Sequence, residues 1–340
     1  MQPVVLITGG AGYVGSHACV ALIESGYLPL VLDNFSNSSV ESLRRVARIT
    51  GVQPQLVEAD VRDASALDSV FRRGPIHAVM HFAGLKAVGE STVQPLRYYA
   101  HNLAGTLALA KAMQRAGVRN LVFSSSATVY GEPGIEQLHE DLRCDPVNPY
   151  GRTKWMIEQM LADLAASEPG WRIARLRYFN PVGAHASGLI GEDPRGVPNN
   201  LMPYVSQVAV GRLDRLRVFG GDWPTPDGTG VRDYIHVMDL ADGHVATLRH
   251  LLATPPQLLT LNLGTGRGTS VLEMIRAFER ASGRAVPYDV VDRRPGDIAA
   301  CWADATRAAH VLGWRTQRGI DDLCRDAWRW QQANPRGYGG

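Results

Sequence analysis

From Val4 to about Arg177, short runs of apolar and β-branched residues alternate with longer segments in which apolar positions recur every three to four residues. The short runs have the length and composition of buried strands, and the longer ones the period of helices with one face against a sheet. Strands are predicted at Val4–Thr8, Leu28–Leu32, Gln55–Glu58, Ala78–Phe82, Leu121–Ser124 and Ile173–Leu176. Helices are predicted between them at Val14–Ser25, Val40–Ile49, Ala64–Phe71, Tyr99–Ala116 and Tyr150–Ala166, each ending near a Gly, Pro or polar break. Strict alternation of this kind winds a parallel sheet with helices on both faces, so the expected fold is α/β with a doubly wound, Rossmann-type core. Beyond about Asn180 the rhythm breaks at Pro181, Pro194, Pro198, Pro203, Pro224 and Pro226 and at the Gly-rich segments Gly220-Gly221 and Gly228-Thr229-Gly230. Residues 1–180 are therefore expected to form the main domain and 181–340 a smaller mixed α/β lobe. Within 234–263, Tyr234–Leu240 and Leu259–Leu263 are apolar enough to return to the main sheet.

Composition narrows the function classes without naming one. A chain of 340 residues has room for a large core and a cleft between lobes. Its 45% apolar and 20% charged residues belong to an ordinary globular protein, and a net charge of +2 predicts no nucleic-acid partner. Cys19, Cys144, Cys301 and Cys324 show neither paired metal-ligand spacing nor a disulfide framework, so no metal site and a reducing compartment are expected. Met1-Gln2-Pro3 leads straight into an apolar strand, with no basic leader and no stretch fit to span a bilayer; a cytoplasmic protein without a membrane partner is expected. Only Lys86, Lys111 and Lys154 are lysines, and two of them fall in the segments that carry chemistry.

Gly9-Gly10-Ala11-Gly12-Tyr13-Val14-Gly15 follows the first strand and opens the first helix, with Gly9, Gly12 and Gly15 spaced as G-x-x-G-x-x-G. Glycine permits the tight turn and a close backbone approach, and the helix N-terminus offers free N–H groups to a pyrophosphate. Asp33 closes the second strand, where a carboxylate can accept hydrogen bonds from adenosine ribose hydroxyls and repel a 2′-phosphate. The residues after it, Asn34, Phe35, Ser36 and Asn37, supply no arginine for such a phosphate, so NAD is the expected cofactor. Asp60-Val61 and Phe82-Ala83-Gly84 stand at carboxyl ends of the next two strands, where open α/β sheets place ligands, and Lys86 just beyond could reach the cofactor's ribose or phosphates.

Ser124-Ser125-Ser126 ends the fifth strand, and Tyr150 stands four residues ahead of Lys154 at the start of the next helix. The i,i+4 spacing sets phenol and ammonium on one helix face, where a cation can stabilise a phenolate that is otherwise scarce at neutral pH. On these residues the chain resembles the extended short-chain dehydrogenase/reductase family. The resemblance implies Tyr150 as acid/base, Lys154 as the group that lowers its pKa while holding the nicotinamide ribose, and Ser126 as the residue that orients a substrate hydroxyl. It also adds Asn102, Ser124 and Tyr178 to the cofactor contacts.

Three longer segments, Phe123–Gly131, Pro198–Tyr204 and Gly228–Val237, are similar to the UDP-hexose 4-epimerases of that family, and the likeness runs from Val4 through Arg293–Asp297 to Leu312-Gly313-Trp314. It implies that Asn180, Asn200, Leu201, Phe219, Arg232, Arg294 and Asp297 hold a UDP-sugar and that C4 of the sugar is inverted through a 4-keto intermediate. It implies a homodimer as well, formed through the helices Tyr99–Ala116 and Tyr150–Ala166. Cys301 stands where bacterial members restricted to plain hexoses carry tyrosine, which implies that N-acetylated UDP-sugars are also admitted. Two other outcomes share the fold's chemistry. A 4,6-dehydratase uses an acidic pair after the fifth strand, where this chain has Ala127 and Thr128, and a net dehydrogenase releases reduced cofactor. A non-catalytic dinucleotide sensor would have no need of Tyr150, Lys154 and Ser126 together.

Overall fold

The computed structural model describes residues 2–196, 198–294 and 297–339. Pro295 and Gly296, within the Arg293–Asp297 segment, lie outside the described residues. The first half runs β1 (Val4–Thr8), α1 (Tyr13–Glu24), β2 (Leu28–Asp33), α2 (Val40–Thr50), β3 (Gln55–Glu58), α3 (Ala64–Phe71) and β4 (Ala78–His81). After these come α4 (Val88–Val93), α5 (Pro95–Tyr98), a π-helical turn (Tyr99–Leu103), α6 (Ala104–Ala116), β5 (Asn120–Ser124), a short 3-10 turn (Ala127–Tyr130), β6 (Gln137–Leu138), α7 (Pro149–Ser167) and β7 (Arg172–Tyr178). The second half runs β8 (Asn180–Val182), α8 (Leu201–Ala209), β9 (Leu216–Phe219), β10 (Val231–Arg232), β11 (Tyr234–His236), α9 (Val237–Ala253) and β12 (Gln257–Leu263). It closes with β13 (Thr269–Ser270), α10 (Val271–Ser282), β14 (Tyr288–Val291), β15 (Ala300–Ala303), α11 (Thr306–Leu312) and α12 (Ile320–Ala333).

Seven strands form the main sheet in the order β12-β7-β5-β4-β1-β2-β3, every pair parallel. A parallel sheet is covered on both faces, which is why its strands read as apolar runs rather than as alternating patterns. Along β1 the side chains part by the period of two. Val5 and Ile7 join Cys19, Leu22, Val46, Leu240 and Leu248 from α1, α2 and α9 on one face. Leu6 joins Leu67, Leu109, Met113, Ile157 and Leu161 from α3, α6 and α7 on the other. The chain reverses its direction of travel across the sheet between β1 and β4, and the crevice beyond the strand ends there is where such sheets hold ligands.

The small lobe holds a four-stranded sheet, β13-β10-β15-β6, and the pair β9/β14. Its core gathers Met202, Val205, Val218, Met274, Phe278 and Leu323 from α8, β9, α10 and α12. Three details depart from the sequence reading. The helix expected over Tyr99–Ala116 is divided by the π-helical turn, which aims Asn102 inward. The segment Tyr234–Leu240 does not enter the main sheet: Tyr234–His236 pairs with β8 in a ribbon of two strands, and α9 begins at Val237. Gln137–Leu138, from the first half of the chain, adds an edge strand to the small-lobe sheet against β15. Leu259–Leu263 lies within β12, which pairs with β7.

Candidate active site

Gly9 turns the chain out of β1 at φ +73°, and a Cβ there would lie 2.7 Å from the backbone N of Ala83. A Cβ on Gly15 would lie 2.2 Å from the carbonyl oxygen of Gly9, so only glycine lets α1 rest on the turn beneath it. Gly12 caps α1 with no side-chain hydrogen bond, and the first turn carries no acidic residue. The opening N–H groups of α1 and the positive end of its dipole therefore face the crevice unopposed, a cradle that fits a pyrophosphate. Tyr13 and Val14 begin the helix; the Tyr13 hydroxyl donates to the carbonyl of Gly183 at 2.7 Å, which ties the fingerprint to the loop after β8. Lys86 Nζ lies 5.9 Å from the Tyr13 ring centre and 2.8 Å from Glu192, close to the fingerprint as its position after β4 suggested.

Asp33 is buried at the end of β2. Its Oδ1 accepts from the Phe35 N–H and the Ser38 hydroxyl at 2.9 and 2.7 Å, and its Oδ2 accepts from Ala11 N–H at 3.0 Å. Each carboxylate oxygen has room for two donors, so Oδ2 keeps one acceptor position for a ribose hydroxyl. The loop beyond it is tightly wound: Phe35 has φ +54°, the one positive value at a non-glycine among the described residues. Arg195 reaches this loop from the second half of the chain, donating to the carbonyls of Phe35, Ser36 and Ser38. An arginine thus stands where the local sequence offered none, with its N–H groups committed to backbone oxygen. Asn34 donates to Asp60 Oδ2 at 2.9 Å, and Arg62 grips the same carboxylate and holds it well below the usual carboxylate range. Asn37 stands exposed on the loop, whereas Val61 packs into the core beneath it.

The groups expected to react stand at the end of β5 and the start of α7. Asn148 caps α7 by accepting from the Gly151 N–H at 2.9 Å, and Pro149 fits the first helical position, which places Tyr150 in the first turn. Tyr150 and Lys154 are 6% and 5% exposed, so both groups are removed from bulk water. Lys154 Nζ donates to the carbonyl of Ser124 at 2.7 Å and lies 4.9 Å from the Phe123 ring centre. Burial pushes the Lys154 ammonium down to about 8, with Glu158 working against that fall. Burial also pushes the Tyr150 phenol above its ordinary value, Tyr178 adds to the rise, and the Ser126 hydroxyl opposes it. Desolvation is the largest influence on the phenol, and the Lys154 ammonium turns to the Ser124 carbonyl. Ser126 caps the 3-10 turn, accepting from Thr128 N–H at 3.2 Å. Ser124 Oγ is buried with no partner, a polar atom left for a bound group. Phe82, Ala83 and Gly84 follow β4, with Phe82 still bonded to Thr8 in place of extending the strand. Asn102 clamps that loop, accepting from Leu85 N–H and donating to Leu85 O and to Thr153 on α7.

Across the crevice, Arg232 and Cys301 lie side by side in register on β10 and β15. Asn180 opens β8, its N–H donating to the Asp233 carbonyl. Arg294 pairs with Asp297 at 3.0 Å, and its guanidinium lies 5.4 Å from the Phe219 ring centre. Asn200 and Leu201 begin α8, where Asn200 donates to Glu192 at 2.8 Å. Two anchoring carboxylates escaped the sequence reading. Glu192 bridges Lys86 and Asn200, one expected cofactor contact and one expected substrate contact; its only sequence signal is a polar loop ending in Pro194. Asp233 is fully buried and accepts from Thr265, Gly266 and Ala303 N–H groups, fixing the wall that carries Arg232 and Cys301. A cavity of about 900 Å³ opens on the reverse face of that wall, lined by Val231, Ala300 and Trp302, which alternate with Arg232 and Cys301.

Residues 5–264 match the NAD dependent epimerase/dehydratase family. The UDP-glucose 4-epimerase of Bacillus subtilis is 59% identical over 334 residues, covering 98% of this chain and 98% of the relative. Among solved structures, the UDP-glucose 4-epimerase of Stenotrophomonas maltophila with bound NAD and formylated UDP-arabinopyranose is 53% identical, with a TM-score of 0.94 and 99% of each chain covered. That of Bifidobacterium longum, in complex with NAD+ and UDP, is 50% identical, with a TM-score of 0.96 over 98% of this chain and 99% of that one.

Proposed function

The chain belongs to the NAD dependent epimerase/dehydratase family, and we infer that it is an NAD-dependent UDP-glucose 4-epimerase, interconverting UDP-glucose and UDP-galactose through a 4-keto intermediate. The observation that carries this reading is the burial of Tyr150, Ser126 and Lys154 together where β5 ends and α7 begins, within a chain alike to such enzymes from end to end. When bound, NAD supplies the hydride acceptor and donor. The glycine turn and the first turn of α1 are shaped for its pyrophosphate, Asp33 for its adenosine ribose, and Lys86, Asn102 and Tyr178 line the way to Ser124 and the reacting pair.

In this reading Ser126 orients the sugar's 4-hydroxyl toward Tyr150, and the phenolate accepts its proton as C4 becomes a ketone. The same phenol returns the proton after the ketone has turned over, so C4 inverts. Because burial keeps Tyr150 protonated in the protein itself, ionisation calls for positive charge close by, which Lys154 provides as long as it remains an ammonium. Arg232, Arg294 and the amides of Asn180 and Asn200 suit the diphosphate and uridine, since arginine forks match phosphate oxygens. Firm hold on the nucleotide with loose hold on the hexose is what a turnover of the ketone demands. Ala127 and Thr128 leave no acid after Ser126 for elimination of water, which favours epimerisation over dehydration.

Cys301 is small and buried beside Arg232, which supports admission of UDP-N-acetylglucosamine and UDP-N-acetylgalactosamine. A homodimer is supported by the apolar face of the second helix layer, where Val93 and Leu96 are 78% and 80% exposed and Leu107 and Met156 stand out from α6 and α7. The direct test is chromatography of products after purified, NAD-loaded protein meets UDP-galactose without added oxidant. UDP-glucose of identical mass with no net NADH is the expected outcome; a dehydrated product, accumulating NADH or no conversion would reject the reading.

A further inference from the structure

The middle serine of the Ser124–Ser126 run turns away from the reacting pair. Its hydroxyl donates to Glu158 Oε1 at 2.6 Å. Glu158 lies one helical turn beyond Lys154 and two beyond Tyr150 on α7, so period alone sets all three on one face. Its carboxylate is wholly buried, and Arg177 on β7 donates to it from Nε at 3.0 Å and from Nη2 at 2.7 Å. Arg177 also donates to the Glu140 carbonyl at 3.1 Å and packs 4.9 Å from the ring centre of Tyr130. Burying an ion pair seldom gains stability over an apolar pair of the same size, so stability alone does not account for this one.

We propose that Glu158 is a positioning residue of the epimerisation: through Ser125 it fixes the end of β5 against α7, and its negative charge is the internal counter-ion of the Lys154 ammonium. The proposal rests on the reading of Tyr150 and Lys154 given above. The charged and titratable groups around Glu158 are Lys154 on its own helix, Arg175 and Arg177 on β7, and Cys144 in the segment leading to α7. His81 on β4 faces Lys154 and is held neutral by burial. Two arginines already neutralise Glu158, yet among the described residues no other carboxylate offsets the burial of Lys154. The sign follows directly. Burial lowers the Lys154 pKa and Glu158 raises it, so removing the carboxylate lowers it further. The working form has Lys154 protonated, and the alkaline limb of activity moves to lower pH.

The experiment is kcat and KM against pH for NAD-loaded protein acting on UDP-galactose, in wild type, Glu158→Gln, Glu158→Gln with Arg177→Met, and Ser125→Ala. The double variant removes one buried charge of each sign, so a shift owed to the carboxylate's charge is smaller there than in Glu158→Gln. Glu158→Gln is expected to shift the alkaline limb of kcat down by about one pH unit with KM within about twofold. Ser125→Ala, which keeps the ion pair, is expected to lower kcat about tenfold with the limb unmoved. A limb at its wild-type pH in Glu158→Gln overturns the proposal. Should Glu158→Gln not accumulate as loaded protein, Ser125→Ala decides, and wild-type kcat in it overturns the proposal. Tyr150→Phe, run alongside, separates the two layers: an inactive Tyr150→Phe with an unshifted Glu158→Gln rejects only the role of Glu158, whereas an active one rejects the reading beneath it.

Discussion

At the residue scale the site is governed by desolvation. Tyr150 and Lys154 are both buried, and burial disfavours the charged form of each, raising the phenol and lowering the ammonium so that the two draw apart. Only the ammonium moves nearer neutrality, while the phenol is held in its protonated form, and a neighbouring charge acts on both. Lys154→Met is expected to lower kcat by about two to three orders of magnitude, as measured by steady-state kinetics on protein matched to wild type in NAD occupancy. Cys301→Tyr is expected to remove activity on UDP-N-acetylglucosamine while sparing UDP-glucose; an unchanged ratio of the two activities would exclude Cys301 as a gate. The positions of the candidate reacting residues were legible in the sequence because each belongs to a local pattern, Tyr150 and Lys154 by helical spacing and Ser126 by its place after a strand. Glu192, Asp233 and Arg195 were not, since their partners lie across the fold. Arg195 sits some 160 positions from the Phe35 carbonyl it clamps.

At the scale of elements, strand ends and helix starts do the positioning. The capping bond from Asn148 sets where α7 begins and hence the height of Tyr150 in its first turn. Asn148→Ala is expected to destabilise the protein by about 1 kcal/mol in chemical denaturation, and to lower kcat more than it raises KM. Gly15→Ala places a methyl group 2.2 Å from the Gly9 carbonyl and should abolish NAD retention, read as cofactor released per protein on denaturation. Long elements were visible in the sequence: β1 through β5 and α1 through α3 fall within a residue or two of their expected bounds, because an apolar run or a helical period needs several residues to register. The π-helical turn at Tyr99–Leu103 was not visible, since its cause is the clamp from Asn102 to Leu85 and Thr153 rather than any local breaker. Nor were β8, β10, β11 and β13, which hold two or three residues each and owe their pairing to neighbours distant in sequence.

At the scale of the whole molecule, two lobes meet over one crevice, and the contacts that join them belong to the site. Lys86 and Asn200 share Glu192, Tyr13 bonds the loop after β8, and β6 from the first half completes the sheet that carries Arg232 and Cys301. The exposed apolar face of α4 to α7 carries the prediction on assembly: the protein sediments as a dimer, and Leu96→Glu combined with Met156→Glu yields a monomer with its secondary structure intact. A monomeric wild type would reject that face as an interface.

The most direct test is the single-turnover rate of NAD-loaded Tyr150→Phe on UDP-galactose, beside wild type at the same cofactor occupancy. The account predicts a rate lower by about three orders of magnitude with NAD content and nucleotide affinity preserved. A rate within a few-fold of wild type would contradict it, because a group other than the Tyr150 phenol would then be taking the proton of the sugar's 4-hydroxyl.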